Sequence, residues 1–288
     1  MPQTINTNLA SLNAQRNLSM SQSSLSTSMQ RLSSGLRFNS AKDDAAGLAI
    51  AERMNAQVRG MNVAVRNAND GISMSQTAEG GLGKVTDALQ RMRELAVQAA
   101  NATNSNSDKD SLDKEFGELA KEVQRVLGGT TFNGKAILGA NAGAQTFQVG
   151  ANTTTNDTIN VTTIDLTVAA TITVVAGTDN TGAGRAVIDN TANSAAIHTV
   201  IDNIDAALTT ANTERATMGA SQSRFDAVIS NLHTSVENQT AARSRIMDAD
   251  FAAETANLSR ANILQQAGNA MVAQANQLPQ QVLRLLQN

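Results

Sequence analysis

The 288-residue chain has no Cys, Trp or Tyr, only two His and six Phe, and just 16% of its residues are charged. Each shortage excludes a class of chemistry. Without thiols, and with His198 and His233 isolated from one another, neither thiolate catalysis nor the clustered Cys and His ligands of structural zinc can be assembled. Aromatics at 2% leave no stacking platform for bases and no aromatic-lined ligand pocket. A formal net charge of -3 offers no basic face to a phosphate backbone, so nucleic acid is not an expected partner. The first twenty residues carry neither the basic nor the apolar region of a cleavable secretory signal. No apolar stretch approaches the ~18 residues of a membrane span, so membrane insertion is not expected either.

What is present is a seven-residue apolar rhythm at both ends. Leu18, Gln22, Leu25, Met29, Leu32 and Leu36 fall at alternating steps of four and three, the spacing of a coiled-coil seam. Ala261, Leu264, Gly268, Met271, Ala275, Leu278, Val282 and Leu285 repeat it near the C-terminus. Both stretches are almost uncharged. Helices this rich in Ser, Asn and Thr are marginal alone, because nucleation is costly and propensity modest. A solitary chain is therefore expected to leave them largely disordered, and other copies of the same chain are the natural partners for the stripes.

Between the ends, two long periodic stretches read as rod-like helices, one from about Ser40 to Ala100 and one over 195–247. Ser40 and Asp43 fit a capping box at the start of the first, with Asp44 at the positive end of the helix dipole. Gly80, Gly81 and Gly83 weaken its middle by up to ~1 kcal/mol each. A third helix is expected after Ser107, with Asp110 as capping partner, burying Leu112, Phe116, Leu119, Val123 and Val126. Asn133-Gly134 signals a tight hairpin turn, TFQVGAN reads as a returning strand, and alternation at Ile159 and Val161, at Ile164, Leu166 and Val168, and at Ile172 and Val174 suggests further short strands. The expected fold is mainly α: a long antiparallel helical rod of coiled-coil-like ends and a three-helix bundle, with a small β-rich tip holding few large core residues. Its divisions are 1–39 and 248–288 for polymerisation, 40–128 and 195–247 for the rod, and 129–194 for a Thr- and Asn-rich variable region.

INTNLASLNAQRNL, QRLSSGLRFNSAKDDAAGLAIAERM, LQRMRELAVQAAN, TTFNGKAIL with FQVGAN, and SRIMDADFAAETANLSRANILQQAGNAMVAQANQLPQQVLRLL, in this order along the chain, resemble the terminal signatures of bacterial flagellin. The likeness spans roughly residues 1–150 and 195–288, and the large outer domains common in the family are replaced by some forty Thr-rich residues. The resemblance implies a secreted structural subunit of the extracellular flagellar filament, a helical homo-oligomer exported through a type III apparatus. It further implies a filament cap, junction proteins and a C-terminal export chaperone as partners. Neither a cofactor nor an enzymatic activity is expected. The alternatives are a hook-filament junction protein, which shares the terminal pattern, and a secreted type III translocator, which would need a long apolar hairpin that this sequence lacks.

Host recognition is also implied by the resemblance. Arg91, Leu95 and Glu115 match family positions that contact Toll-like receptor 5; the plain reading of the charged two is a weak surface ion pair. Gln30, Arg31, Asn39, Lys42, Asp43, Asp44 and Gly47 lie in a stretch resembling the epitope of the plant flagellin receptor kinase, from which Leu36 and Ala49 depart. The segment from Gly129 to Lys135 has phosphate-loop spacing, but Ala136 stands where a magnesium-binding hydroxyl is needed and the segment follows a helix. His233 is not part of an HExxH motif, so the metalloprotease insert of some flagellins is not expected.

Overall fold

A computed structural model describes residues 7–286, with side chains to residue 277. It contains six α-helices: α1 (Leu9–Ser34), α2 (Ala45–Ala99), α3 (Asn106–Gly129), α4 (Ala170–Ala176), α5 (Ser194–Met247) and α6 (Phe251–Leu286). Two antiparallel ribbons complete it, β1 (Thr131–Phe132) with β2 (Lys135–Ala136) and β3 (Ala144–Gln148) with β4 (Thr158–Thr162). The mainly α class is as expected. The chain divides into two compact units, one of residues 1–56 and 237–288, the other of 57–236, so both divisions fall inside α2 and α5.

In the unit of residues 57–236, α2, α3 and α5 enclose the main core, beside a smaller cluster of Met61, Ala64 and Leu232. Leu82, Val85, Leu89 and Met92 from α2 meet Phe116, Val123 and Leu127 from α3 and Ile204, Ala207 and Phe225 from α5. Phe225 packs its edge on Phe147 of β3 at 5.5 Å, and a Cβ at Gly71 would collide with its ring, so α2 and α5 approach closely there. Glycine serves close approach again at Gly81, where a Cβ would lie 2.6 Å from Thr130 Oγ1. The predicted weak point is an uninterrupted helix: Gly81 packs against Thr130 and Leu138, which flank the β1–β2 ribbon, and its neighbour Leu82 is fully buried.

Four expectations need correction here. The third helix starts two residues early: Ser105 is its N-cap, and the Ser105 hydroxyl and Asp108 carboxylate each accept the other's backbone N–H, with Asp108 held below the usual carboxylate range by the Ser105 hydroxyl and N–H. Its buried face is centred on Phe116, Ala120, Val123 and Leu127, leaving Leu112, Leu119 and Val126 half-buried. Second, the α2 cap is Asp44, whose carboxylate accepts from Gly47 N–H at 2.7 Å, while Ser40 and Asp43 close the preceding turn. Third, neither Ile164, Leu166 and Val168 nor Ile172 and Val174 lie in a strand. Residues Ala170–Ala176 form α4, because Ile172, Val175 and Ala176 at helical spacing reach the common core and outweigh the β propensity of TITVV.

Fourth, the variable region is not poor in core residues, since Val149, Ile159, Val161, Leu166, Ile172, Val175 and Ile188 are all buried. An ionic clasp fixes its last part: Arg185 Nη1 donates to Asp113 of α3 at 2.9 Å, the Ile188 N–H donates to the same carboxylate at 2.9 Å, and the guanidinium lies 6.0 Å from the Phe116 ring. The pair is only 19% and 12% exposed, so each charge depends on the other for its solvation. Asn133-Gly134 does form the expected turn, with φ of 49° and 77° and register Phe132↔Lys135.

In the unit of residues 1–56 and 237–288, α1 and α6 lie antiparallel against each other. Asn8 caps α1 by accepting from Ser11 N–H, and Gly35 at φ 71° closes it by donating to the Arg31 carbonyl. Beyond the cap, Leu36 pairs with Asp248 in an isolated bridge, and Phe38, Ala51 and Met247 form a small separate core.

Candidate functional site

The terminal pair is the site the sequence pointed to, and it is built from two lanes on each helix. Facing inward on α1 are Ser11, Ala14, Leu18, Ser21, Leu25, Ser28 and Leu32; on α6 they are Glu254, Leu258, Ala261, Gln265, Gly268, Val272 and Ala275. Steps of three and four run through both sets. Small residues alternate with larger ones, and the helices come close at the small ones; a Cβ at Gly268 would sit 3.2 Å from Leu18 Cδ1.

Polar contacts fasten both ends of the pair. At one end the Asn8 amide donates to the Ala275 carbonyl at 2.7 Å and the Ser11 hydroxyl to Asn276 Oδ1 at 2.7 Å. At the other, Arg31 Nη1 donates to Glu254 Oε1 at 3.0 Å and Asn257 Nδ2 to Glu254 Oε2 at 2.9 Å. The Asn257 amide, and then Arg31, hold the Glu254 carboxyl below its usual range.

The remaining lanes point away from this contact. Leu9, Leu12, Met20 and Met29 on α1 and Ile263, Leu264 and Met271 on α6 are all at least half exposed, and Phe251 joins them at the start of α6. A groove of ≈ 710 Å³ runs between the helices, with Met20 and Leu264 beside polar Ser24, Arg31, Glu254 and Asn257. Of the residues predicted for polymerisation, Leu18, Leu25 and Leu32 therefore face α6, whereas Met29, Leu264 and Met271 face outward. Leu36 lies past the helix end in the bridge, and Leu278, Val282 and Leu285 fall outside the residues whose side chains are described. The expectation of unpaired, disordered ends is also corrected: within one chain each terminal helix is a partner for the other, and only half of the apolar rhythm is left over.

The host-recognition residues divide in the same way. Arg91 donates from Nη1 to Glu94 at 2.8 Å and from Nε to Glu115 at 2.9 Å, and these carboxylates raise the guanidinium pKa above its ordinary value, Glu94 foremost. Leu95 is 1% exposed, because its position on α2 falls in the lane of Met92 and Ala99, and it offers no surface of its own. In the other stretch, Asp43 Oδ2 accepts from the N–H groups of Asn39 at 3.2 Å and Ser40 at 3.1 Å, which lowers the carboxyl pKa. Gly47 must be small, since a Cβ would run into Asp44 and the Phe38 ring. Gln30, Asn39 and Lys42 are exposed, while Arg31 is engaged with Glu254.

Among the described residues, no group of three His, Cys, Asp or Glu could hold a metal ion, and no helix is long and apolar enough to cross a membrane. The sequence matches the model of the bacterial flagellin N-terminal helical region over residues 5–143 and that of the C-terminal helical region over 201–286. The chain belongs to the bacterial flagellin family. It is 45% identical to a flagellin of Halalkalibacterium halodurans over 283 residues, covering 98% of this chain and 99% of that one. It is 40% identical to a flagellin of Bacillus subtilis over 304 residues, with 98% and 99% coverage. A crystal structure of Bacillus cereus flagellin aligns with 58% of this chain and 88% of that one at 32% identity and a TM-score of 0.46. As a flagellin, the protein is a structural subunit of the bacterial flagellar filament, a homopolymer outside the cell. Residues 144–200, between the two family segments, hold β3, β4 and α4. The Asp113–Arg185 clasp and α4 escape a reading of the sequence; a lone Arg in a Thr-rich stretch gives no periodic signal.

Proposed function

We propose that the outward lanes of the terminal pair carry the subunit–subunit contacts of the filament. The carrying observation is a second apolar lane: Leu18, Leu25, Leu32, Leu258 and Val272 face inward, yet Leu12, Met20, Met29, Ile263, Leu264 and Met271 stand in solvent. Exposed apolar side chains gathered on one small unit are a cost to a free chain and a driving force once sister chains cover them. Filament cap and junction proteins would meet the same lanes at the two ends of the polymer. An export chaperone would cover the C-terminal apolar run that the sequence places from Leu278 to Leu286. The function is mechanical, with no catalytic step assigned to any residue.

The test is replacement of Leu264 and Met271 together by Ser. The free chain should melt within ~0.5 kcal/mol of the parent, as surface changes usually do, yet fail to extend short filament seeds into long tubes under the electron microscope. Undiminished growth overturns the assignment. Short caps in place of long tubes from the parent chain would favour a junction protein.

Arg91 with Glu115 supports a second reading, in which host Toll-like receptor 5 docks on this exposed ion-paired face of α2 and α3, and a plant flagellin receptor kinase reads the stretch from Gln30 to Gly47. Replacing Arg91 and Glu115 together by Ala should sharply reduce receptor reporter signalling by the free chain; equal signalling removes that reading.

A further inference from the structure

The pair Asn133-Gly134 occurs once in the sequence, at the tip of the β1–β2 ribbon. Both residues are exposed, a Cβ at Gly134 would meet nothing within 4 Å, and no hydrogen bond engages the Asn133 amide among the described residues. Of the four asparagines followed by Ser, Asn106 is the first residue of α3, and the other three are held by hydrogen bonds. Asn39 donates to the Ser34 hydroxyl at 2.9 Å, Asn104 to the Gln98 carbonyl at 2.6 Å, and Asn193 accepts from Ala196 N–H at 2.8 Å.

We propose that Asn133 is a site of spontaneous covalent self-modification. Base removes the proton from the Gly134 backbone nitrogen, which attacks Asn133 Cγ. A new C–N bond closes a five-membered succinimide, the bond from Cγ to the side-chain nitrogen breaks, and ammonia leaves with the proton. Water then opens the ring. Cleavage between the ring nitrogen and Cγ leaves an ordinary aspartate in place of the asparagine, and cleavage between the ring nitrogen and the main-chain carbonyl carbon leaves isoaspartate. No oxidant or reductant is needed, because only an amide is exchanged for a carboxylate.

Three features of the fold favour this residue. With no Cβ, Gly134 leaves the approach to its nitrogen unhindered. The turn is held by two ladder pairs only, Thr131↔Ala136 and Phe132↔Lys135, and so short a ribbon opens locally at little cost. The free amide gives up no hydrogen bond on reacting. Conversion adds a negative charge beside Lys135, and the isoaspartate form inserts a backbone methylene into a two-residue turn whose register depends on its length. The ribbon sits beside Gly81 of α2 through Thr130 and Leu138, so the change is made next to the bundle core.

The test is incubation of the purified full-length chain in mildly alkaline buffer, with peptide mapping by mass spectrometry. The peptide containing residues 131–135 should gain one mass unit and split into aspartate and isoaspartate forms, several-fold faster than the peptides containing Asn39, Asn104 or Asn193, and faster still as pH rises. Gly134→Ala should slow conversion several-fold, and Asn133→Asp should show no mass gain at this position. Because Gly134→Ala strains a residue at φ 77°, the comparison is repeated in denaturant, where the parent must still convert first at Asn133 and the variant must still lag. An unmodified Asn133 under conditions that convert the other three, or a rate unchanged by Gly134→Ala in denaturant, overturns the proposal.

Discussion

In the unit of residues 57–236 the fully buried side chains include the large Phe116, Phe225, Leu82, Leu89, Met92 and Leu127. In the terminal unit the buried positions between α1 and α6 are Ser11, Ser28, Glu254, Ala261 and Ala275, while Leu9, Ile263 and Met271 stand 70%, 66% and 63% exposed. The bundle turns its large apolar side chains inward, whereas the terminal pair buries Leu18, Leu25 and Leu32 only in part, joins α1 to α6 by polar contacts at its ends, and leaves a second set of apolar side chains in solvent.

The largest test of the contrast is Phe225→Ala. It removes the ring that fills the approach over Gly71 and the edge contact with Phe147, and should cost about 3–5 kcal/mol, lowering the melting temperature of the bundle on the order of 10 °C by calorimetry. A loss no greater than that of a surface substitution would show that the bundle core is not the seat of stability. Next in size is Arg185→Ala, which strands Asp113 with one remaining backbone donor and should cost about 3 kcal/mol in denaturant unfolding. Adding Asp113→Leu should restore most of it, separating the penalty of an orphaned charge from the worth of the pair.

The smallest effect concerns the terminal unit and is set by pH. The Glu254 carboxyl titrates below its unfolded value of 4.5, so its stabilisation is fully present above 4.5 and is lost as pH falls through the lower folded value. Helicity of the free chain, followed by circular dichroism during acid titration, should therefore show a step below 4.5 that Glu254→Gln removes, with a loss near neutrality of about 1 kcal/mol. An unaltered acid step in the variant would place the transition elsewhere.

Much of this is legible in the sequence. Long helices, the tight turn at Asn133-Gly134 and the β4 alternation at Ile159 and Val161 follow from period and turn chemistry alone. The terminal rhythm is legible as a rhythm but not as a direction. Leu18 and Leu25 alternate with Gln22 and Met29, and nothing local states which lane meets α6; the choice of Leu18 is made by Gly268 and Ala261 on the other helix, over two hundred residues away in sequence. Leu95 comes forward only through its match to a family contact position; one residue beyond exposed Glu94, a helix rotation of about 100° carries it into the core. Helix α4 is hidden because its β-branched residues are helical only under tertiary packing.

Along the seam, Ser, Ala and Gly are interleaved with Leu18, Leu25, Leu32, Leu258 and Val272. Alignment is metered as well by the fastenings at its extremities, Asn8 with Ala275 and Arg31 with Glu254. An inserted or deleted turn in either helix alone would throw one fastening out of reach, whereas matched insertions in both would preserve them. Evolutionary or engineered lengthening of these tails is thereby tied to a common gauge: the two distant ends of the gene must change in step.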